Sequence, residues 1–371
     1  MIIKNGLVFE ENKTFTVRDV FVENGVITDS PAQMTDLSEI DASGLYVLPG
    51  LVDIHSHGAV GCDFSDANSE GLKKILQYEY AHGITSYCPT SMTLPITQLK
   101  EIFATAVEAQ SAPDSAVKQA AVAGINMEGP FLDAAKKGAH VEKHIMMPDV
   151  DIFRECNESC GNLIRLVTLA PNVPGAMDFI QALHEETTIS LGHTAADYHM
   201  SKKAIEAGAK HVTHLYNAMM PLAHREPGLI AAAAEDPECM AELICDGIHI
   251  HESVVRATFK LFPDRVVLIS DSMRATGLTD GTYDLGGQEV TVSGKLATLT
   301  DGTIAGSATN LYDCMRTSIS FGIPAEDAIA AATMNPARSI GIYDKVGSLT
   351  PGKRADILLV DKDWNLVRVI S

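Results

Sequence analysis

Histidine and acidic residues follow the ends of several short apolar runs in the middle of this chain. His55 and His57 occupy alternating positions, so a strand would point both imidazoles to the same side. The wider set holds four imidazoles and two carboxylates: His55, His57, Glu128, His193, His214 and Asp271. These groups suit zinc, iron or manganese, and the set suffices for two ions with Glu128 bridging them. A metal centre that acidifies water is therefore predicted, with Asp271 as its acid/base group.

A purely structural interpretation competes with this chemistry. A single His-x-His pair can arise by chance, and a buried histidine is usually satisfied by hydrogen bonds. Asp271 would then only cap the turn formed by residues 270–272. Against this, each member of the set lies at or just after the end of an apolar run, and His55 and His57 share the first run. Histidines scattered at random would not fall at this position repeatedly.

The elements that must position these residues are eight apolar runs with helical patterns between them. The runs cover residues 50–54, 84–88, 122–127, 164–169, 188–191, 211–215, 241–245 and 266–269. Amphipathic patterns predict helices over residues 69–81, 96–109, 196–207 and 251–262. Eight strand-then-helix repeats over about 250 residues or more predict a (β/α)8, TIM-like barrel of the α/β class. The predicted ligands would then converge at the C-terminal mouth, where active sites of this fold lie.

The two ends of the chain have a different sequence pattern, in which short β-prone runs are separated by residues typical of turns. This predicts hairpins near residues 2–30 and again after residue 347. We expect a small β-sandwich domain built from both termini, residues 1–48 and 346–371. The catalytic barrel would then cover residues 49–345.

Composition excludes several kinds of partner. The 371 residues are 46% hydrophobic and carry 28 Lys and Arg against 48 Asp and Glu, a formal net charge of −20. Such a field repels nucleic acid and anionic membrane surfaces. No apolar run approaches the roughly 18 residues of a membrane span, and the start lacks a secretory pattern. Seven cysteines without a Cys-x-x-Cys pair are typical of a reduced set, so a cytoplasmic location is expected.

Several motifs, in order along nearly the whole chain, resemble the amidohydrolase superfamily. They are residues 48–57 (LPGLVDIHSH), 335–337 (NPA) and 347–357 (GSLTPGKRADI). A narrower set resembles the N-acetylglucosamine-6-phosphate deacetylase family: residues 127–132 (MEGPFL), 136–140 (KKGAH), 192–194 (GHT), 214–219 (HLYNAM) and 225–228 (REPG).

This resemblance implies hydrolysis of the acetamide of N-acetylglucosamine 6-phosphate to glucosamine 6-phosphate and acetate, in amino-sugar catabolism. It implies that Glu128, His193 and His214 hold the main ion, that Asp271 is the acid/base and that His140 polarises the scissile carbonyl. Substrate contacts implied by the family are Ala139, His140, Asn217, Ala218, Arg225, Asp246, His249, Ile304, Ala305 and Gly306. Lys136 and Lys137 are interpreted as parts of a solvated loop.

The resemblance also implies a homodimer in which Arg225 reaches the neighbouring site. Because His55 and His57 are both present, we expect one or two divalent ions in each subunit, with zinc as the first choice and iron, manganese or cobalt as alternatives. Three other functions stay open at this point. They are an N-acetylgalactosamine-6-phosphate deacetylase, which differs by the position of one hydroxyl, another amidohydrolase, and a catalytically inactive binding protein.

Overall fold

The computed structural model describes residues 1–111 and 117–371. Its strands, in chain order, are β1 Ile2–Phe9, β2 Phe15–Glu23, β3 Val26–Thr28, β4 Glu39–Asp41, β5 Tyr46–Pro49, β6 Leu51–Ser56, β7 Gly58–Ala59, β8 Cys62–Asp63, β9 Ile84–Ser91, β10 Ala121–Val122, β11 Ile125–Glu128, β12 Ile164–Leu169, β13 Thr188–Leu191, β14 His211–Val212, β15 Met240–Ile244, β16 Val266–Ile269, β17 Gly281–Leu285, β18 Gln288–Ser293, β19 Leu296–Leu299, β20 Ile357–Val360 and β21 Leu366–Ile370. Its α-helices are α1 Ser69–Ala81, α2 Ile96–Ser111, α3 Val150–Ser159, α4 Ala176–Leu183, α5 Tyr198–Glu206, α6 Gly228–Glu235, α7 Glu252–Leu261, α8 Leu311–Ser320, α9 Ala325–Ala332 and α10 Met334–Ser339.

Eight parallel strand positions form a nearly closed barrel, which confirms the predicted fold class. The hydrogen-bonded order runs from β6 through β9 to β11–β16, and β10 pairs with β9 beside β11. The third predicted run is thus split into β10 and β11, and the sixth ends as a strand at Val212. At the seam between β6 and β16, the Asp271 N–H donates to the His55 carbonyl at 2.9 Å. Two predicted site residues therefore lie side by side where the barrel closes.

Apolar periodicity explains how the helices pack on this barrel. In α1, Leu72, Ile75 and Leu76 recur at helical spacing and are fully buried. The Asn68 side chain caps the start of α1 by accepting from two backbone N–H groups of the first turn. No helix within residues 1–111 and 117–371 is long and apolar enough to cross a membrane.

Strands from both termini form one small seven-stranded sheet, which confirms that the two chain ends together build a small β unit. Its order is β21-β20-β5-β1-β2-β3, with β4 also paired to β1. Ile3, Val8 and Val20 from the N-terminal strands share a buried cluster with Ile357 and Leu359 from the C-terminal end. The exact domain boundaries stay a prediction.

A three-stranded antiparallel sheet, β17–β19, follows β16 and was not predicted. Gly286 and Gly287 connect β17 to β18 with positive φ of 58° and 86°, the backbone of a two-residue hairpin turn. Those two glycines, between β-prone segments, were the signal that could have located the hairpin. The sheet matters for function because Leu285, at the end of β17, lines the main cavity at the barrel mouth.

Candidate active site

Glu128, at the end of β11, is the centre of the cluster that the sequence predicted. Its Oε1 lies 3.0 Å from His214 Nε2, 3.2 Å from His193 Nε2 and 3.4 Å from His55 Nε2. Its Oε2 lies 3.3 Å from His57 Nε2 and 3.5 Å from His140 Nε2. Five imidazoles from distant parts of the chain thus surround one buried carboxylate.

Asp271 completes this cluster on the side of β6. Its Oδ1 lies 3.3 Å from His57 Nε2 and 3.6 Å from His55 Nε2. The structure therefore brings the six predicted metal ligands and His140 together. Two triads have ligand atoms within 4.8 Å of one another: His55, His57 and Asp271, and Glu128, His140 and His193.

Hydrogen bonds on the far side of two of these rings decide which nitrogen faces the cluster. His193 Nδ1 lies 2.9 Å from the Lys136 carbonyl, and His57 Nδ1 lies 3.1 Å from the Thr90 carbonyl. A carbonyl only accepts, so each Nδ1 carries a proton and donates it. In the neutral ring of each, Nε2 then presents a lone pair to the cluster, which is the usual state of metal-ligating histidines.

The contact between His193 and His214 tests whether a cation fits. Their Nε2 atoms lie 3.0 Å apart, and both face Glu128 Oε1. With His193 Nδ1 protonated, the Nε2 lone pair of the neutral ring points at the Glu128 carboxylate oxygen. Such convergence of two imidazole nitrogens and a carboxylate oxygen is satisfied by a divalent cation, so the donor set fits the metal that the sequence predicted.

Backbone geometry at these positions is unusual. His193, His214 and Asp271 all have positive φ, of 46°, 28° and 48°. This left-handed region is costly for residues with a Cβ and persists where the surrounding structure enforces it. Each of the three follows the end of a barrel strand, where the chain turns its side chain into the mouth.

Charges within the cluster stabilise one another. Burial opposes ionisation of Glu128, but His55 and His140 hold the pKa of its carboxyl well below the usual value. Burial also opposes ionisation of Asp271, yet the hydrogen bond with His57 and the charge of His55 lower the pKa of Asp271. Although burial works against the cation, the same carboxylates raise the pKa of His57 to about 10, so they favour positive charge at its Nε2, whether from a proton or from a metal ion. Desolvation lowers the pKa of His193 to about 4, which keeps this imidazole neutral.

A cavity of about 430 Å³ opens above the cluster. Seven of the ten predicted substrate residues line it: Ala139, His140, Asn217, Ala218, His249, Ile304 and Gly306. Asp246 does not line it but accepts from His249 Nδ1 at 2.8 Å. Ala305 is buried and does not line it, and Arg225 is exposed away from the cavity of its own chain.

Sequence reasoning missed several residues of this site. Lys136, interpreted as solvated, is half-buried, lines the cavity and donates to the Met219 carbonyl at 3.3 Å. Met92 and Leu285 supply an apolar part of the wall. Glu242, inside β15, is fully buried and contacts His55. The sequence signal for Glu242 was a carboxylate inside an apolar run. Such a residue is expected to have a partner, because unpaired acids are almost never fully buried.

Comparison with known proteins identifies the class. The profile described as "Amidohydrolase family" matches residues 46–370. Together with the nearly closed parallel barrel and its cluster of histidines and carboxylates, this match shows that the chain belongs to the amidohydrolase family.

Relatives that match nearly the full length of the chain assign it to a narrower group within the amidohydrolases. The chain is 37% identical to the N-acetylglucosamine-6-phosphate deacetylase of Bacillus subtilis (strain 168), covering 100% of this chain and 95% of that protein. Identity to the enzyme of that name from Vibrio furnissii is 34%, over 93% of this chain and 86% of that protein. Within the amidohydrolases, the chain groups with the N-acetylglucosamine-6-phosphate deacetylase family.

A solved structure agrees with this grouping. A mutant N-acetyl-D-glucosamine-6-phosphate deacetylase from Mycobacterium smegmatis, in complex with N-acetyl-D-glucosamine-6-phosphate, superposes with a TM-score of 0.91 at 29% identity. The superposition covers 100% of this chain and 97% of that one. The small sheet and the barrel therefore both have counterparts in that protein.

Proposed function

We propose that this protein hydrolyses the acetamide of N-acetyl-D-glucosamine 6-phosphate to D-glucosamine 6-phosphate and acetate, as a step in amino-sugar catabolism. The observation that carries the proposal is the convergence of metal-ligand lone pairs and an ionised Asp271 on the floor of a sugar-sized cavity. The full-length likeness to deacetylases of this name supports the choice of substrate.

The proposed ligands of the main ion are Glu128, His193 and His214, and His55, His57 and Asp271 would complete a second site. A divalent ion there would polarise the amide carbonyl and lower the pKa of water to near neutrality. Nitrogen and oxygen donors suit zinc, iron, manganese and cobalt, and zinc is the proposed first choice.

Asp271 is the proposed acid/base group. Its pKa is lowered, so its carboxylate is ionised at neutral pH and ready to accept a proton from water. It would then pass that proton to the departing amine. Its backbone is held on both sides, since its N–H donates to the His55 carbonyl at 2.9 Å and its own carbonyl accepts from the Ser307 N–H at 2.7 Å. This fixation keeps the carboxylate aimed at the cavity floor.

His140 is the proposed group that polarises the scissile carbonyl. Its Nδ1 accepts from the Thr93 N–H at 3.1 Å, so in the neutral ring the proton is on Nε2. That Nε2 faces Glu128 and the cavity. An N–H donor next to the metal ligands is well suited to bind the oxygen on which negative charge develops.

The substrate phosphate needs a local attraction that overcomes the net charge of −20. Lys136 and His249 line the cavity, and Asn217 with Ala218 would contribute polar groups of the segment after His214. We propose that Arg225 of a second subunit completes the phosphate site in a homodimer, because Arg225 is exposed and lies outside the cavity of its own chain. A cytoplasmic location is proposed from the seven free cysteines.

Acetate release tests this function directly. Metal-replete protein should release acetate from N-acetylglucosamine 6-phosphate much faster than from unphosphorylated N-acetylglucosamine. The galacto epimer is the second substrate, and faster turnover of that epimer would reassign the specificity. Absence of acetate release from both phosphorylated sugars would refute the deacetylase proposal.

A further inference from the structure

We propose that Glu242 is the positioning residue of the second metal site, holding His55 with Nε2 aimed at the ion. This inference rests on the metal centre of the proposed function. Glu242 lies within β15 and is fully buried, and it is not among the residues that line the cavity. Its influence on the site therefore passes through the groups to which it is hydrogen-bonded.

The contact with His55 fixes the orientation of that ring. His55 Nδ1 lies 2.9 Å from Glu242 Oε2, and both side chains are fully buried. A carboxylate accepts, so His55 donates from Nδ1, and in the neutral ring Nε2 carries the lone pair. His55 Nε2 has no hydrogen-bond partner among the described residues, and it points toward Glu128 and Asp271 at 3.4 and 3.6 Å. A buried nitrogen lone pair aimed at two carboxylates suits a cation between them.

The same oxygen also holds the turn that carries His214. Glu242 Oε2 accepts from the His214 N–H at 3.0 Å. His214 has a φ of 28°, a strained backbone that needs support from its surroundings. One carboxylate oxygen thus fixes the ring of a proposed second-ion ligand and the backbone of a proposed main-ion ligand.

The other oxygen of Glu242 is held from behind. Oε1 lies 3.1 Å from His211 Nε2, and His211 Nδ1 lies 2.7 Å from the Ser339 hydroxyl of α10. The consistent assignment is that Ser339 donates to His211, His211 donates to Glu242, and Glu242 accepts from His55. Every link has a donor facing an acceptor, so the carboxylate is anchored before any ion binds. Such outer partners raise ligand basicity and lock the ring orientation.

The test is a zinc titration of chelator-treated full-length protein, with bound metal counted per chain. Glu242→Gln keeps one acceptor oxygen but loses the charge, and Glu242→Leu loses both. We expect the second Zn²⁺ to bind about 10- to 100-fold more weakly in the Leu variant, with the Gln variant in between. Main-ion affinity, measured in a His57→Ala background that removes a second-site ligand, should change by a smaller factor. Co²⁺ absorption spectra of the same variants report the geometry of the second site independently.

Glu79→Gln is the matched control, because Glu79 is also a fully buried carboxylate but belongs to α1, outside the site. It should leave both zinc affinities unchanged. Unchanged second-ion affinity in folded Gln and Leu variants would overturn the proposal. Equal weakening of both zinc affinities, together with a lower unfolding temperature, would also overturn it. That result is expected if Glu242 only stabilises the fold. Wild-type protein that binds a single ion would also overturn it, and acetate release, assayed separately, would still decide the deacetylase proposal.

Discussion

At the scale of single residues, the site depends on which ring nitrogen of each histidine carries the proton. His57 and His193 each donate from Nδ1 to a backbone carbonyl, and His140 accepts at Nδ1 from a backbone N–H. In their neutral form the first two therefore offer lone pairs at Nε2, which suit a metal ligand, and His140 offers an N–H, which suits an oxyanion. Residue type alone does not separate these two roles.

Asp271 gives the first prediction. Asp271→Asn cannot accept the proton from water, so kcat should fall by about 10²- to 10⁴-fold. The main ion should stay bound, because Glu128, His193 and His214 are unchanged. Acetate release and bound metal per chain check these two outcomes, with Asp344→Asn, an exposed carboxylate, as the control. Near-normal turnover in Asp271→Asn would show that another group moves the proton.

His249 gives a prediction about pH. Burial opposes its cation, but the hydrogen bond and charge of Asp246, with a further contribution from Asp271, raise the pKa of His249 above its usual value. The cation attracts the substrate phosphate below that pKa and is lost as the pH rises through it. KM should therefore increase with pH, and Asp246→Asn should shift this increase to lower pH.

Profiles of KM against pH for both proteins check this, with kcat recorded at each point to separate the contribution of Asp271. The Asp246→Asn side chain would retain the oxygen that accepts from the Ile248 and His249 N–H groups, so the turn should be preserved. Superimposable KM profiles would contradict a role of the His249 cation in binding.

At the scale of elements, α1 carries an acid on its buried face. Neither carboxylate oxygen of Glu79 has a hydrogen-bond partner among the described residues. Desolvation, with the nearby charge of Asp53, raises the pKa of Glu79 well above its usual value. Burial raises the pKa of Asp53 itself to about 7. The packing of α1 on the barrel is therefore weakened whenever these acids ionise.

Replacing this acid should stabilise the protein in a pH-dependent way. A raised folded pKa means that stability is present below the unfolded pKa of Glu79 and is lost as the pH rises above it. Glu79→Met should therefore increase the free energy of unfolding by about 1–3 kcal/mol at pH 8 and by less at pH 5. Denaturant unfolding at both pH values measures this, with the exposed Glu101→Met as the control. An equal gain at both pH values would show that ionisation of Glu79 is not what weakens the packing of α1.

The β17–β19 sheet contributes to the barrel mouth. Leu285, at the end of β17, lines the cavity, and the Gln288 side chain of β18 donates to the Ala139 carbonyl. This bond joins the sheet to the segment that carries His140. The apolar wall of the cavity and the position of its proposed oxyanion donor thus depend partly on an insertion that follows the last barrel strand.

At the scale of the whole molecule, a protein of charge −20 is proposed to bind an anion. Attraction must be local, because the overall field is repulsive. Lys136 and His249 are in place within one chain. Arg225 lies outside that cavity, so the proposed phosphate site depends on how two copies assemble.

Arg225→Ala tests this assembly. Loss of a charge-assisted contact should raise KM by roughly 10- to 100-fold, with kcat nearly unchanged, because phosphate binding is the same in the ground and transition states. Co-expression with Asp271→Asn should then form mixed dimers with one complete site each, recovering roughly a quarter of the wild-type kcat/KM. Activity no greater than the sum of the two separate variants would show that Arg225 does not act across subunits.

The sequence by itself determined the barrel, the small sheet from both termini and the cluster at the mouth. These follow from local patterns: apolar runs of strand length, and ligands such as Glu128 placed just after them. Tertiary structure decided the rest, because it depends on partners far apart in the chain. The proton positions on His140 and His193, and the support of His55 by Glu242, 187 residues away, are set by contacts between segments that lie far apart in the sequence. Local patterns specify which elements form, and only their packing specifies which atoms face one another.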